Sequence, residues 1–135
     1  MKKSDITLTD AFVPGMRARK WGRVVNMASS TLGSVVTGFA HYVASKGGIV
    51  GFTRALAHDL AADGITVNCV VPGLIGTPRP KDKPEPAHHL THQTISGERG
   101  RPEDVAATVR FLCGPGARYI NGQAIHSNGG AYLGG

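Results

Sequence analysis

The stretch Ile65-Thr-Val-Asn-Cys-Val-Val71 constrains the fold of this chain more than any other. It is a short, nearly continuous apolar run rich in β-branched residues, preceded by Asp63-Gly64 and closed by Pro72-Gly73. Such a run predicts a buried strand of the kind found in parallel sheets covered by helices. A helical pattern leads straight into it. Ile49, Phe52, Leu56 and Leu60 recur at helical spacing across residues 42–62, and Asp63-Gly64 supplies the stop.

The same alternation extends in both directions. Residues 6–20 read as an amphipathic helix with Ile6, Ala11, Phe12, Val13 and Met16 apolar, which Pro14 is expected to bend or end early. Trp21-Gly22 reads as a turn and Arg23 to Ala28 as a first strand, apolar enough to be buried on both faces. Ser29 to His41 is loop-like. Pro102 opens a further helix where its missing N–H costs nothing, Glu103 and Asp104 complement the first turn, and Gly114 ends it. A third strand is expected within Tyr119 to Asn128. Strands alternating with helices imply an α/β fold with a parallel sheet and right-handed crossovers. At 135 residues the chain fits one domain, 1–135. Three strands leave two sheet edges exposed.

Composition excludes several classes. Hydrophobic residues make up 41% and charged residues 18%, which is globular rather than disordered. The net charge of +6 is concentrated early, at Lys2, Lys3, Arg17, Arg19, Lys20 and Arg23. Only Trp21 lies nearby to stack on a base, so the excess reads as a solvated basic surface and no nucleic-acid partner is expected. Cys69 and Cys113 lack a CxxC spacing and read as reduced, buried thiols. Polar Ser4-Asp5 follows Lys2-Lys3, so no signal peptide is expected, and no apolar window approaches the length of a membrane span. The expected compartment is the cytoplasm, with no membrane partner.

Residues 78–98 change character, with four prolines, three histidines and few apolar side chains between Pro78 and Gly97. A loop of that length in a compact domain reads as a lid or binding segment. Its His88 and His92 have the i, i+4 spacing that can bind zinc on a helix. His89 stands where a metalloprotease motif needs glutamate, and the prolines oppose a regular helix. The segment is therefore expected to be a lid, and no metal is expected.

The chemistry centres on Tyr42-Val-Ala-Ser-Lys46. On a helix, i and i+4 share a face, so the phenol and the ammonium project together. An adjacent ammonium favours the phenolate, which lets the pair exchange a proton with an alcohol or carbonyl oxygen. Ser29 lies thirteen residues before Tyr42 and could hold the same oxygen. Taken singly, each has an ordinary reading: a serine before a loop caps a turn, a helical Tyr/Lys pair is a surface contact, and Pro-Gly after a strand is a turn. Their joint spacing singles them out.

Five blocks together resemble the short-chain dehydrogenase/reductase family. Gly22-Arg-Val-Val-Asn-Met-Ala-Ser29 looks like the fifth strand and catalytic serine, and Tyr42-Val-Ala-Ser-Lys46-Gly-Gly like the YxxxK helix. Ile65 through Pro72-Gly73-Leu-Ile75-Gly-Thr77 looks like the sixth strand and its PGxxxT turn. Arg99-Gly-Arg-Pro102-Glu-Asp-Val-Ala106 and Tyr119 to Gly130 look like the last helix and seventh strand. The resemblance implies a partial Rossmann-like, doubly wound fold with three parallel strands and flanking helices. It implies Tyr42 as general acid/base, Lys46 as its partner and ribose ligand, and Ser29 as donor to the substrate oxygen. Pro72, Gly73, Ile75 and Thr77 would place the nicotinamide of NAD or NADP, and 78–98 would close over a small carbonyl or alcohol substrate.

The resemblance is to the carboxy-terminal, catalytic half. The glycine-rich turn that seats the pyrophosphate has no counterpart here, so weak nucleotide binding or none is expected of this chain alone. Two other readings stand beside the oxidoreductase. One is a cofactor-independent hydrolase or dehalogenase-like enzyme using the same trio, weakened by Lys46 standing where halohydrin dehalogenases use arginine. The other is an inactive remnant persisting as an oligomer. In either redox or remnant form a homo-oligomer, dimer or tetramer, is expected, through the helices at 6–20 and 42–62 or through 102–113 and 119–128.

Overall fold

The computed structural model describes residues 3–34, 36–86, 89 and 94–133. Three strands, β1 (Gly22–Met27), β2 (Ile65–Pro72) and β3 (Ala124–Ser127), form one parallel sheet in the order β1-β2-β3. Gly22 pairs with Ile65 and Met27 with Val70, while Cys69 pairs with Ala124 and Pro72 with Ser127. Three helices flank them: α1 (Lys3–Ala18), α2 (Ala40–Leu60) and α3 (Pro102–Cys113).

The period-2 alternation of β2 decides which helices go where. Val67, Cys69 and Val71 point to the side covered by α1 and α2, packing with Val13, Ile49, Ala57 and Leu60. Val70 points to the other side, against Leu112 of α3 and Ala117. A central strand covered on both faces must be apolar on both, which explains the run that opened the sequence.

Several expectations are corrected. Pro14 lies inside α1, which runs on to Ala18. Proline removes a single backbone hydrogen bond there, and Val13 and Met16 on either side of it hold that turn to the core. β1 is only half-buried, with Met27 exposed, because it is an edge strand with one side open to a groove. The third strand lies within 119–128 as expected, at 124–127. Before it, Gly122 (φ 72°) turns the backbone while its N–H still donates to the Val67 carbonyl at 2.8 Å, and side chains add to the bonding. Asn121 Oδ1 accepts the Val67 N–H at 2.8 Å, Asn68 Oδ1 accepts the Gln123 N–H at 3.0 Å, and Asn68 Nδ2 donates to the Ile120 carbonyl at 2.8 Å. Cys69 is buried as expected, but Cys113 is exposed, since it falls on the solvent side of the last turn of α3.

Helix ends follow local chemistry. α2 passes into a 3₁₀ turn (Ala61–Asp63) closed by Gly64 in the left-handed region at φ 71°. Pro102 begins α3, and Asp104 accepts the Arg101 N–H at 2.7 Å to complete a capping box. Part of the basic surface is paired: Arg17 and Lys20 reach Asp63 at 2.9 and 2.7 Å, tying the end of α1 to the turn after α2. No helix among the described residues is long and apolar enough to cross a membrane.

Candidate active site

The site is built where the strands end. Ala28 continues the β1–β2 ladder through its N–H to the Val70 carbonyl at 2.8 Å, and the chain then turns out at Ser29. Ser29 caps the 3₁₀ turn Ser30–Leu32. Its Oγ accepts the Thr31 N–H at 3.3 Å and the Thr31 hydroxyl at 3.0 Å, so its lone pairs are occupied while its own proton is left to donate.

Tyr42 lies in the first turn of α2. Its ring meets Phe39 edge-on, with centroids 6.0 Å apart and planes at 75°, an arrangement aromatic rings favour. One turn on, Lys46 Nζ lies 5.7 Å from the centre of the Tyr42 ring and donates to the Met27 carbonyl at 2.8 Å. The i, i+4 spacing therefore brings the phenol and ammonium to one face, as the sequence predicted.

Two cavities meet at Tyr42. A cavity of about 290 Å³ is lined by Ser29, Tyr42, Gly73, Ile75 and Thr77 among others, gathering five of the seven residues singled out from the sequence. A larger groove of about 580 Å³ is lined by Tyr42 and Lys46, by Met27 and Val25 of β1, and by Leu8 and Phe12 of α1. Pro72 ends β2 in register with Ser127 and lines neither cavity.

The base of the 78–98 segment is pinned. Ile75 bridges to Gly100, with the Gly76 N–H donating to the Gly100 carbonyl at 2.9 Å and the Gly100 N–H to the Leu74 carbonyl at 3.1 Å. Within the segment, Glu85 accepts from Arg99 at 3.0 Å and from His89 Nδ1 at 2.8 Å. Arg99, then His89, hold the Glu85 carboxyl below the usual carboxylate range. His88 and His92, the pair with zinc spacing, lie outside the described residues.

Sequence reasoning missed Arg79 and His89, which line the Ser29–Tyr42 cavity. Arg79 Nη2 lies 3.3 Å from His89 Nδ1, which in turn lies 2.8 Å from Glu85 Oε1. The one signal in the sequence was a cation just after Thr77. Thr31, which sets the Ser29 hydroxyl, was also missed.

The sheet order and covering helices define a doubly wound α/β protein with the Ser29–Tyr42 cavity at the carboxyl ends of the strands, where ligands of such sheets bind. Residues 3–132 match the family model described as enoyl-(acyl carrier protein) reductase, and the chain belongs to the short-chain dehydrogenase/reductase family. It is similar to the 3-oxoacyl-[acyl-carrier-protein] reductase FabG of Vibrio cholerae, with 39% identity over 129 residues, covering 93% of this chain and 52% of that protein. It is also similar to the acetoacetyl-CoA reductase of Shinella zoogloeoides, with 42% identity over 121 residues, covering 88% of this chain and 50% of that protein. A solved structure of a 3-oxoacyl-[acyl-carrier protein] reductase with bound NAD from Brucella melitensis superposes with a TM-score of 0.83 at 30% identity, over 96% of this chain and 48% of that one. The chain spans about half the length of the relatives it matches.

Proposed function

We propose that this chain, as a single Rossmann-like unit, supplies the substrate-binding and proton-transfer half of a nicotinamide-dependent carbonyl reductase acting in the cytoplasm. The observation that carries the reading is the placement of Ser29 and Tyr42 on one cavity, with the Lys46 ammonium 5.7 Å from the Tyr42 ring. The similar reductases act on 3-oxoacyl and acetoacetyl thioesters, and that is the substrate class proposed here.

In this reading Ser29 donates its hydroxyl proton as a hydrogen bond to the substrate oxygen, its orientation set by Thr31. Tyr42 gives its phenolic proton to that oxygen as negative charge develops there. The Lys46 ammonium lies beside the ring, where its charge offsets the negative charge left on the phenol oxygen. Its bond to Met27 uses one of three N–H donors and leaves two for a ribose.

The residues fit a nicotinamide. Gly73, Ile75 and Thr77 form a cavity wall beside Tyr42, and the adjoining groove has Lys46 in its lining. NAD(H) or NADP(H) would supply the hydride. Gly73, Ile75 and Thr77 with Pro72 would hold the carboxamide end, and the 78–98 segment would cover the substrate.

The test is loss of NADH or NADPH absorbance with acetoacetyl-CoA, for the chain alone and with the amino-terminal half of the Vibrio cholerae relative added. Turnover is expected in the second arm, falling by about 10²–10⁴ in Tyr42→Phe, the usual weight of general acid–base catalysis. Turnover that ignores Tyr42→Phe would sink the reading. Calorimetric titration of the chain alone is expected to show weak nucleotide binding, and micromolar affinity would overturn that part.

We also propose a homo-oligomer, a dimer or tetramer. Leu8 and Phe12 of α1, Phe111 of α3 and Tyr119 after it are large apolar side chains left exposed. Light scattering that reports a compact monomer refutes it.

A further inference from the structure

The cavity shared by Ser29 and Tyr42 is walled by segments far apart in sequence, and one short turn touches three of them. After β3 the chain reverses at Asn128–Tyr132. Asn128 Oδ1 accepts the Gly130 N–H at 3.0 Å, Asn128 Nδ2 donates to the Tyr132 carbonyl at 2.7 Å, and the Ala131 N–H donates to the Asn128 carbonyl at 3.1 Å. Asn128 is 9% exposed, so this latch is held away from competing water.

The latch folds Tyr132 back toward the sheet. Its ring lies 5.5 Å from the His126 imidazole, tilted at 58°. It also rests on Gly33, where an added Cβ would overlap the aromatic carbons. Gly33 closes the 3₁₀ turn that Ser29 opens, its N–H donating to the Ser30 carbonyl at 3.0 Å.

The same turn braces the other walls. An added Cβ at Gly73 would fall 2.7 Å from Asn128 Cα, so the backbone after β2 is seated directly on the latch. The Ser96 N–H donates to the Gly129 carbonyl at 3.1 Å, which attaches the end of the 78–98 segment.

We infer that Tyr132 is a positioning residue: its ring, latched by Asn128, wedges the Ser29–Gly33 turn and so fixes the Ser29 hydroxyl relative to Tyr42. This rests on the proposed role of Ser29. Leu32 holds the middle of the turn to the core beside Ile49 and Val71, and the Tyr132 ring adds a stop at its Gly33 end. Donors aimed at a reacting oxygen must hold their place closely, and packing of their neighbours is what holds them.

The experiment uses the full chain with Tyr132→Ala, Tyr132→Phe and Gly33→Ala, read by amide hydrogen exchange at Thr31, Leu32 and Gly33. Val67 and Val70 of β2 serve as the internal reference. Tyr132→Ala and Gly33→Ala are expected to speed exchange in the turn by about tenfold with β2 unchanged, and Tyr132→Phe to restore it. Under the complemented reductase assay, kcat falls in Tyr132→Ala while KM holds. Unchanged exchange in the turn overturns the wedge, as does a loss of protection spread equally over β2. Altered exchange with undiminished kcat overturns the positioning role, provided Ser29→Ala abolishes turnover. If Ser29→Ala leaves turnover intact, the reading of Ser29 falls and the positioning role with it, while exchange alone still decides whether Tyr132 holds the turn. Should Tyr132→Ala not fold, Tyr132→Leu, apolar but not planar, takes its place with the same outcomes.

Discussion

Lys46 Nζ donates to the main-chain carbonyl of Met27 at 2.8 Å, fastening α2 to the last residue of β1. The bond fixes the ammonium in the larger groove, close to Tyr42, which lines both cavities. It also anchors an edge strand that has only one neighbour. Lys46→Met keeps the aliphatic stem and removes the donor. We expect a loss of about 1 kcal/mol in urea unfolding, with the circular dichroism unchanged. A variant as stable as the wild type would show that the bond positions the side chain without supporting the fold.

Asn68 is a polar side chain in the most buried strand, 1% exposed, and it serves both the Ile120 carbonyl and the Gln123 N–H. Asn68→Leu leaves both part-buried groups without this partner. The expected cost is about 1–3 kcal/mol for each unsatisfied group, seen as a lower urea midpoint. Exchange protection at Gln123 should be lost first, because its N–H is the one the side chain accepts.

Leu60 ends α2 at 1% exposure, among Val13, Ala57, Ile65 and Val67. Leu60→Ala opens a cavity where α1, α2 and β2 meet. A destabilisation of about 2–5 kcal/mol is expected by chemical denaturation. A smaller value would mean that α1 settles into the gap.

Asp63 carries the acid sensitivity of the α1–α2 junction. The Lys20 hydrogen bond, aided by Arg17 and opposed by partial desolvation, holds its carboxyl below the ordinary range. The folded protein thus binds this proton more weakly than the unfolded chain. Its stabilisation is complete above the unfolded carboxylate value of about 3.9 and is lost as pH falls through the lowered folded value. Thermal melts of wild type and Asp63→Asn should differ at neutral pH and converge at the acid end, with the difference shrinking in salt.

The two thiols should separate cleanly. Burial pushes the Cys69 thiol up, while Cys113 is exposed. Thiolate is the reactive form, so under native conditions a disulfide reagent should titrate Cys113 alone, with Cys69 following on unfolding. Early reaction of Cys69 would signal opening of the sheet.

What the sequence disclosed was what local spacing encodes. Tyr42 and Lys46 are four apart on a helix, so their shared face needed no tertiary knowledge, and Pro102 with Gly114 marked the ends of α3 by chemistry within one turn. The arrangement just before β3 has a different origin. Asn121 and Asn68 exchange side-chain bonds with backbone more than fifty residues away, which no window over 119–128 contains. Arg79 and His89 reach the cavity through a segment whose path depends on the bridge between Ile75 and Gly100. Pro14 misled for the opposite reason: a strong local rule was outweighed by packing of Val13 and Met16.

Strands β1, β2 and β3 lie side by side in the order in which the chain makes them. Every connection between them is therefore laid on the same side of β1, and none crosses its outer flank. A sheet of this kind divides along a single seam without cutting a crossover, and can be enlarged along that seam without rethreading. Here the seam runs along Gly22–Met27, next to the groove that holds Lys46. A neighbouring strand could be delivered to it equally by a longer polypeptide or by a separate one, and in both cases the join would be made beside Lys46.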